Sequence, residues 1–337
     1  MSDKLTQMIA DRGYVLADGA TGTNLFNMGL QAGDPPELWN MDKPENIIKL
    51  YKGAVDAGSD LFLTNSFGSN ASRLKLHASQ HRVHELSRAA AELGREVADT
   101  AGRNVIVAGS MGPTGEIMGD AGTLSHETAV EMFEEQAQGL IDGGADVLWV
   151  ETISAPEEYA AAAEAISNVG APWVGTMSFD TAGRSMMGVT SVGMVDMIAN
   201  LAHQPVAFGA NCGVGASDLL RTVLGFASTG TQMPIVAKGN AGIPKYVEGH
   251  IHYDGTPEVM ATYAQMARNS GAQIIGGCCG TMPHHLRAMR EALDTMVLGA
   301  APSLDEIAAT LGGFSSPSDG TGDTPAPKRE RRGRRRA

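Results

Sequence analysis

The sequence is poor in cysteine and lacks long hydrophobic segments. Its 337 residues include only three cysteines. It contains no run of about eighteen apolar residues, so we expect no membrane-spanning helix. Residues Met1–Leu5 lack the basic start and apolar stretch that begin a signal peptide. We therefore predict a cytoplasmic protein with no membrane partner, and three free thiols fit that reducing compartment.

Basic residues are scarce outside the last ten positions. The net charge of −13 combines +6 on residues 328–337 with −19 on the rest of the chain. An acidic body argues against a nucleic-acid partner. From residue 312 onward the sequence is rich in Gly, Ser, Pro and Thr, which predicts disorder. We therefore divide the chain into a folded domain, 1–311, and a disordered linker with a basic tail, 312–337. The tail is interpreted as a solvated segment, with a docking arm for an acidic partner as the alternative.

A phosphate-binding Gly-x-Gly-x-x-Gly loop after an early strand is also missing, which disfavours an open doubly wound sheet. Instead, short apolar runs alternate with helical patterns, as in parallel strands covered on both faces. Eight such runs predict a (β/α)8 TIM barrel with its active site at the carboxyl ends of the strands. The runs are Val15–Gly19, Leu61–Asn65, Val105–Gly109, Val147–Glu151, Trp173–Met177, Val206–Ala210, Pro234–Ala237 and Gln273–Gly277.

Two of the intervening helices have clear boundaries. Apolar residues recur with a period of 3.6 between Ser125 and Gly143. The sequence Thr256-Pro257-Glu258 offers a cap, a first-turn proline and a first-turn acid for a helix that stops near Gly271. His284 and His285 follow Pro283 where a further helix begins, and we interpret both as solvated first-turn residues.

In a barrel, the residues just past each strand face the same mouth. Among them, Asp18 and Glu151 are acids at the ends of apolar runs, and buried acids need a cationic partner. A substrate ammonium would serve, although Asp18 also fits a turn or helix-cap role. The predicted mouth residues are Asp18, Asn65, Ser66, Phe67, Ser110, Glu151, Ser178, Asp180, Cys212, Asn240, Cys278 and Cys279.

The three cysteines all follow predicted strands. Cys212 comes after one strand, and the adjacent pair Cys278 and Cys279 comes after the last. Adjacent cysteines bridge poorly and three cannot all pair, so the interpretation that uses every thiol is a metal site with an open fourth position. Soft thiolates favour zinc. The alternative is that these residues are small buried hydrophobic side chains.

These motifs resemble the zinc-dependent homocysteine S-methyltransferase family, which makes methionine on a (β/α)8 barrel. The resemblance runs from about Val15 to Met289, and the cysteine motifs are its strongest part. The matching segments are Asp18-Gly19-Ala20-Thr21-Gly22-Thr23, Thr64-Asn65-Ser66-Phe67, Gly112-Pro113-Thr114-Gly115, Asn211-Cys212-Gly213 and Gly277-Cys278-Cys279-Gly280-Thr281.

The resemblance implies roles for individual residues. Cys212, Cys278 and Cys279 would hold one Zn2+, and the homocysteine sulfur would take the fourth position. Glu151 would bind the substrate ammonium. The turn at Asp18, Gly19 and Ala20 would position the amino acid moiety, and the Asn65-Ser66-Phe67 motif would belong to the same substrate site. Asn240 matches an asparagine that can occupy the metal when homocysteine is absent.

The resemblance leaves the methyl donor open. Betaine users enclose the trimethylammonium group with aromatic rings, but Gly68 and Thr152 stand where that branch has tyrosines. Trp39 could still supply a ring. The motifs look closer to the homocysteine module of cobalamin-dependent methionine synthase, which favours methylcobalamin on a separate corrinoid protein. Glycine betaine and S-methylmethionine are the alternative donors.

Two hypotheses from other classes also remain. One is a zinc-storing or thiol-redox barrel without transferase activity, which would leave Asp18 and Glu151 without a role. The other is a binding scaffold recruited through the basic tail. The sequence does not indicate the oligomeric state.

Overall fold

The computed structural model describes residues 3–119, 122–242, 245–247 and 250–321. For residues 245–247 and 250–252 it describes only the backbone. Eight parallel strands in the order β1-β10-β7-β6-β5-β4-β3-β2 form a nearly closed barrel, and β8 and β9 form a separate antiparallel hairpin. The predicted (β/α)8 barrel and all eight predicted strands are confirmed. The strands are β1 Val15–Leu16, β2 Leu61–Leu63, β3 Ile106–Met111, β4 Val147–Ile153, β5 Trp173–Met177, β6 Ala207–Cys212, β7 Ile235–Gly239, β8 Lys245–Val247, β9 His250–His252 and β10 Ala272–Gly277.

Aspartate side chains bridge the seam between β1 and β2. The Asp60 backbone N–H donates to the Leu16 carbonyl oxygen at 2.7 Å, and the Leu16 N–H donates to Asp60 Oδ2 at 2.9 Å. At the other end of the seam, the Leu63 N–H donates to Asp18 Oδ2 at 2.9 Å. These carboxylates therefore accept hydrogen bonds from backbone groups that a regular strand ladder would otherwise use.

Helices surround the barrel, and no helix among the described residues is long and apolar enough to cross a membrane. Short 3₁₀ helices occupy Pro36–Leu38 and Gln80–Arg82. The α-helices are α1 Lys4–Arg12, α2 Thr21–Asn27, α3 Trp39–Asp42, α4 Pro44–Asp56, α5 Ala71–Lys75, α6 Val83–Asp99, α7 His126–Asp142, α8 Pro156–Val169, α9 Ser191–Ala199, α10 Ala216–Ser228, α11 Pro257–Asn269, α12 Pro283–Thr295 and α13 Leu304–Leu311.

The two predicted helix starts are confirmed by their caps. The Ser125 side chain accepts a hydrogen bond from the Thr128 N–H at the start of α7. Thr256 caps α11 in the same way, and Pro257 occupies its first turn. Each cap satisfies a backbone donor that the helix itself leaves unpaired.

The core has two layers. Inward-facing residues of the strands, such as Ala17 and Trp149, form one buried cluster that also includes Leu5 and Ile9 of α1. Lys4 and Arg12 of α1 pair with Asp146 and Asp60, which directly precede β4 and β2, so α1 covers the amino-terminal end of the barrel. The larger cluster lies between the strands and the outer helices. The open end, where the strands terminate, is called the mouth below.

Within the segment that the composition predicts to be disordered, Gly312, Ser315 and Ser316 contact α10. The Ser217 hydroxyl donates to the Gly312 carbonyl oxygen at 2.6 Å, the Ser315 N–H donates to Asp218 Oδ2 at 3.0 Å, and Arg221 donates to the Ser316 carbonyl oxygen at 2.7 Å. The buried pair of Asp218 and Arg221 supplies these partners, which composition does not reveal. The rest of the predicted tail, 322–337, lies outside the described residues.

Candidate metal centre and substrate pocket

The three thiols converge at the mouth. Cys212 ends β6, while Cys278 and Cys279 follow β10, and β7 lies between these two strands. All three sulfur atoms lie within 4.8 Å of one another, and Cys212 Sγ is 3.9 Å from Cys279 Sγ. Four sulfurs at Zn–S distances of 2.3 Å in a tetrahedron would be separated by about 3.8 Å. The donor atoms and their spacing therefore fit zinc.

Hydrogen bonds among the three thiols shift their pKa values in opposite directions. Hydrogen bonds from the Cys212 and Cys278 thiols lower the pKa of Cys279 to about 3, and the Tyr253 hydroxyl contributes in the same direction. Hydrogen bonding to Cys278 and Cys279 raises the pKa of Cys212. Ionising all three thiols together requires a cation.

Two asparagines hold the cysteine loops. The Asn240 side chain donates to the Gly213 carbonyl oxygen at 2.9 Å and accepts from the Cys279 N–H at 3.1 Å. It therefore ties the loop after Cys212 to the loop of the cysteine pair. The second is Asn211, whose role the sequence analysis missed although it lies within the quoted Asn211-Cys212-Gly213 motif.

The Asn211 amide supports strained backbone beside the cysteines. Its Oδ1 accepts from the Thr152 N–H at 2.9 Å and from the Thr176 hydroxyl at 2.8 Å, and its Nδ2 donates to Thr152 Oγ1 at 2.7 Å. Thr152 and Cys212 have φ values of 62° and 61°. A non-glycine residue in this region is strained and persists only where its surroundings hold it.

The acids at the mouth have an internal cation that the sequence analysis missed. Lys238, near the end of β7, places its Nζ 2.5 Å from Asp18 Oδ1, and both side chains are buried. The expectation that a substrate ammonium serves as the cationic partner of Asp18 is therefore corrected, since Lys238 fills that role. The sequence did contain a signal for this cation. Lys238 directly follows the apolar run 234–237, just as Glu151 directly follows the apolar run 147–150.

Glu151 is the more open of the two acids. It is half-buried, and its Oε1 accepts a hydrogen bond from the Ser110 hydroxyl at 2.5 Å. Burial raises the pKa of Glu151 to about 7, while the Lys238 charge opposes that rise. Burial also raises the pKa of Asp18, again against Lys238. Glu151 thus lies at the mouth, and a bound cation would favour its charged form.

The β1 loop packs on the loop of the cysteine pair. The Ala20 N–H donates to the Thr281 carbonyl oxygen at 3.0 Å. A Cβ on Gly19 would lie only 2.6 Å from that same oxygen, so only glycine fits. Asp18, Gly19, Ala20 and Thr281 line one cavity. The predicted turn at residues 18–20 is thereby placed beside the cysteines.

The motif after β2 is turned mostly into the protein. Asn65 donates to the Pro36 carbonyl oxygen at 2.7 Å and to Asn40 Oδ1 at 2.9 Å. Ser66 donates to the Ser110 carbonyl oxygen at 2.7 Å. Both residues are buried, whereas Phe67 is half-buried. Asn65 and Ser66 therefore contact the scaffold of the mouth, and Phe67 alone of the three keeps substantial exposure.

Trp39 and position 68, which were considered for an aromatic ring that binds the methyl donor, both contact other side chains. Trp39 is 6% exposed, and the Lys43 ammonium lies 4.2 Å from its ring centroid. A Cβ on Gly68 would lie 2.7 Å from a carboxylate oxygen of Glu37. Trp39 is thus a buried anchor, and a side chain at position 68 would have to displace the Glu37 carboxylate.

Tyr253 supplies an aromatic ring at the centre that the sequence analysis did not identify. A Cβ on Gly280 would lie 2.3 Å from its ring, so Tyr253 packs directly on the cysteine loop. Burial raises the pKa of Tyr253, and the negative charge of Cys279 adds to that rise.

His285 differs from the expectation of a solvated residue. It is 6% exposed, its Nδ1 accepts from the Met282 N–H at 3.0 Å, and its Nε2 is 3.0 Å from the Gly255 carbonyl oxygen. It therefore joins the start of α12 to the segment that carries Tyr253, two residues before Gly255. His284, by contrast, is exposed.

Comparisons with known proteins point to a single enzyme family. A family model described as homocysteine S-methyltransferase matches residues 15–293. The methionine synthase of Mycobacterium tuberculosis (strain ATCC 25618 / H37Rv) is 28% identical over 295 residues, which cover 83% of this chain but only 24% of that protein. The chain thus spans about a quarter of this curated relative.

Solved structures of the homocysteine methyltransferase MmuM from Escherichia coli are also similar. The oxidised form matches with a TM-score of 0.69 and 25% identity, covering 86% of this chain and 99% of that one. The metallated form matches with the same score and identity and covers 85% and 99%. By its motifs, its fold and the match over residues 15–293, this chain belongs to the homocysteine S-methyltransferase family.

Proposed function

We propose that this methyltransferase transfers a methyl group to the sulfur of homocysteine, producing methionine, at a zinc ion held by Cys212, Cys278 and Cys279. The observation that carries the proposal is the convergence of the three sulfur atoms within 4.8 Å. Zinc would supply the positive charge that keeps a substrate thiol deprotonated and therefore nucleophilic. A thiolate set of this kind leaves one tetrahedral position for the substrate sulfur.

The surrounding residues would bind and orient the amino acid end of homocysteine. Glu151, fixed by the Ser110 hydroxyl, carries a negative charge suited to the substrate ammonium. The close-packed turn at Gly19 and Ala20 contacts the loop of the cysteine pair through the Thr281 carbonyl oxygen. Asn240, which ties the two cysteine loops together, would keep the thiols in position when the ligand changes. Positioning of this kind is a large part of catalysis in a bimolecular transfer.

For the methyl donor we favour methylcobalamin carried by a separate corrinoid protein. Position 68 is a glycine beside the Glu37 carboxylate, and the Trp39 ring is covered by Lys43, which disfavours a betaine cage built from those positions.

The second candidate is a small onium donor, either glycine betaine or S-methylmethionine. The observation in its favour is the Tyr253 ring packed on the cysteine loop, because an aromatic face attracts a methylated cation. This chain also covers 99% of the MmuM chain, so the matched barrel accounts for nearly all of that relative's structure. The half-buried Phe67 offers a further ring.

The test is methionine formation by the zinc-loaded chain with homocysteine and one donor per reaction. Transfer from methylcobalamin, with none from glycine betaine or S-methylmethionine, would support the corrinoid partner. Turnover with either onium compound would overturn that choice and favour the second candidate. Failure of the zinc-loaded protein to bind homocysteine would overturn the proposal as a whole and favour a zinc or thiol-redox barrel without transferase activity.

A further inference from the structure

Lys238 is shared electrostatically by two carboxylates. Its Nζ lies 2.5 Å from Asp18 Oδ1, with side-chain exposures of 3% and 8%. The negative charge of Glu151 also acts on Lys238, after that of Asp18. One buried ammonium thus stands against two acids, and the three groups together carry a net charge of −1 when all are ionised.

The backbone explains why Lys238 is within reach of both acids. Trp149 and Glu151 are two residues apart on β4, so they point to the same face of the strand in successive layers. The Lys238 ammonium lies 5.7 Å from the centroid of the Trp149 ring, which places it next to the layer just below Glu151. A lysine side chain has a flexible four-carbon stem, so modest torsional changes move its charge between neighbouring partners.

The two acids differ in how far the protein satisfies them. Asp18 binds Lys238 through Oδ1 and the Leu63 N–H through Oδ2, and it is 6% exposed. Glu151 accepts from the Ser110 hydroxyl and is half-buried at the mouth. Asp18 is therefore engaged inside the barrel, whereas Glu151 is the acid that an incoming ammonium can reach.

We propose that Asp18 is a positioning residue that holds Lys238 away from Glu151 and so keeps Glu151 available for the substrate ammonium. This inference rests on the proposed function, in which homocysteine binds at the mouth. A buried charge that loses its partner is strongly destabilised. Without the charge of Asp18, Lys238 would therefore pair with Glu151 and compete with the substrate.

The proposal makes a prediction that direct contact between Asp18 and the substrate does not. Asp18→Asn keeps an oxygen for the Leu63 N–H but removes the charge, so it should weaken homocysteine binding by releasing Lys238 onto Glu151. Adding Lys238→Met removes the competitor. The double variant D18N/K238M should therefore bind homocysteine better than the single variant, although it carries more substitutions.

The experiment is calorimetric titration of L-homocysteine into zinc-loaded wild type, D18N, K238M and D18N/K238M. We expect D18N to raise Kd at least about tenfold and the double variant to return within about threefold of wild type, since coupled residues are non-additive. A double variant as weak as D18N would overturn the proposal, as would a D18N variant that binds like wild type. If D18N alone does not fold, the double variant, which leaves neither charge unpaired, carries the same test against wild type.

Matched controls separate this mechanism from general damage. Asp218 and Arg221 form another buried acid–base pair, on α10, and D218N and D218N/R221M should leave Kd unchanged in folded protein. Glu151→Gln should weaken binding whether or not Lys238 is present; rescue of E151Q by K238M would contradict the assignment of the ammonium to Glu151. Zinc content is measured for every variant. If wild type itself does not bind homocysteine, the proposed function fails rather than the role of Asp18.

Discussion

The two ends of the barrel use buried aspartates in opposite ways. At the closed end, Asp60 is 1% exposed and forms ion pairs with Arg12, Arg103 and Arg290. At the mouth, Asp18 and Glu151 share Lys238. Cations are in excess around the acid at the closed end, whereas acids are in excess at the mouth.

The difference separates a structural site from one prepared for a ligand. Both Asp60 and Asp18 bridge the seam between β1 and β2 through backbone hydrogen bonds, so the same device closes the barrel twice. Only the mouth leaves a carboxylate, Glu151, with a raised pKa and access from outside. Perturbed acids in a cleft are candidates for function, whereas removing the acid from a fully paired buried set leaves charges uncompensated and destabilises the fold.

The largest effect on the mouth should come from removing a thiol. We expect Cys278→Ala to lower methyl transfer at least about a thousandfold, because several kcal/mol of charge stabilisation by the metal are lost. Zinc content, measured by atomic emission, should fall in parallel, while the melting temperature of the metal-free protein should change little. Full zinc content with normal transfer would contradict the assignment of Cys278 as a ligand.

The closed end should show the reverse pattern. Asp60→Asn removes the carboxylate that Arg12, Arg103 and Arg290 share, although Arg290 keeps its pair with Asp294. Losing the buried partner of Arg290 costs about 3–5 kcal/mol of unfolding free energy. Urea unfolding measures the loss, and calorimetry on the folded variant should give the wild-type homocysteine affinity. Asp294→Asn, at a half-exposed acid that also pairs with Arg290, is the milder control. A D60N variant with altered affinity but normal stability would reverse the comparison.

Glu151 should couple function to pH. Its pKa of about 7 predicts that homocysteine affinity falls as the pH drops below 7, because the carboxylate takes up a proton and loses its attraction for the ammonium. In E151Q this pH dependence should disappear together with most of the affinity. Titration calorimetry between pH 6 and 8 measures both effects.

The same shift has the opposite sign for stability. The folded state holds the Glu151 proton more tightly than the unfolded chain, so between the unfolded and folded pKa values stability falls as the pH rises. Glu151→Gln should therefore raise stability by about 2 kcal/mol at pH 8 and show a smaller gain at pH 5. Equal gains at both pH values would mean that Glu151 is not the titrating group.

The smallest effect is expected at the segment 312–321. Ending the chain after Leu311 removes the contacts to Ser217, Asp218 and Arg221, and we expect a loss of about 1–2 kcal/mol, since a few partly buried hydrogen bonds are involved. Homocysteine affinity should not change. Deleting only 322–337 is the control, and thermal unfolding compares the two truncations. Loss of activity on either truncation would favour the tail as a functional arm.

Local sequence patterns determined the barrel. Apolar runs of strand length ended at residues such as Asp18 and Cys212, and side chains such as Ser125 and Thr256 marked helix starts. These features depend on neighbours a few residues apart, which the sequence displays directly. Because parallel strands end on one face, the placement of the thiols at the mouth followed from the same patterns.

Only the tertiary structure decided which of these residues is free to meet a ligand. Lys238 and Asp18 are 220 residues apart in sequence, and no local pattern connects them. Likewise, nothing near Asn65 or His285 indicates that their polar groups are taken by Asn40 and Gly255. Burial enforces such long-range pairings, because a polar group removed from water must find a partner wherever the fold places one.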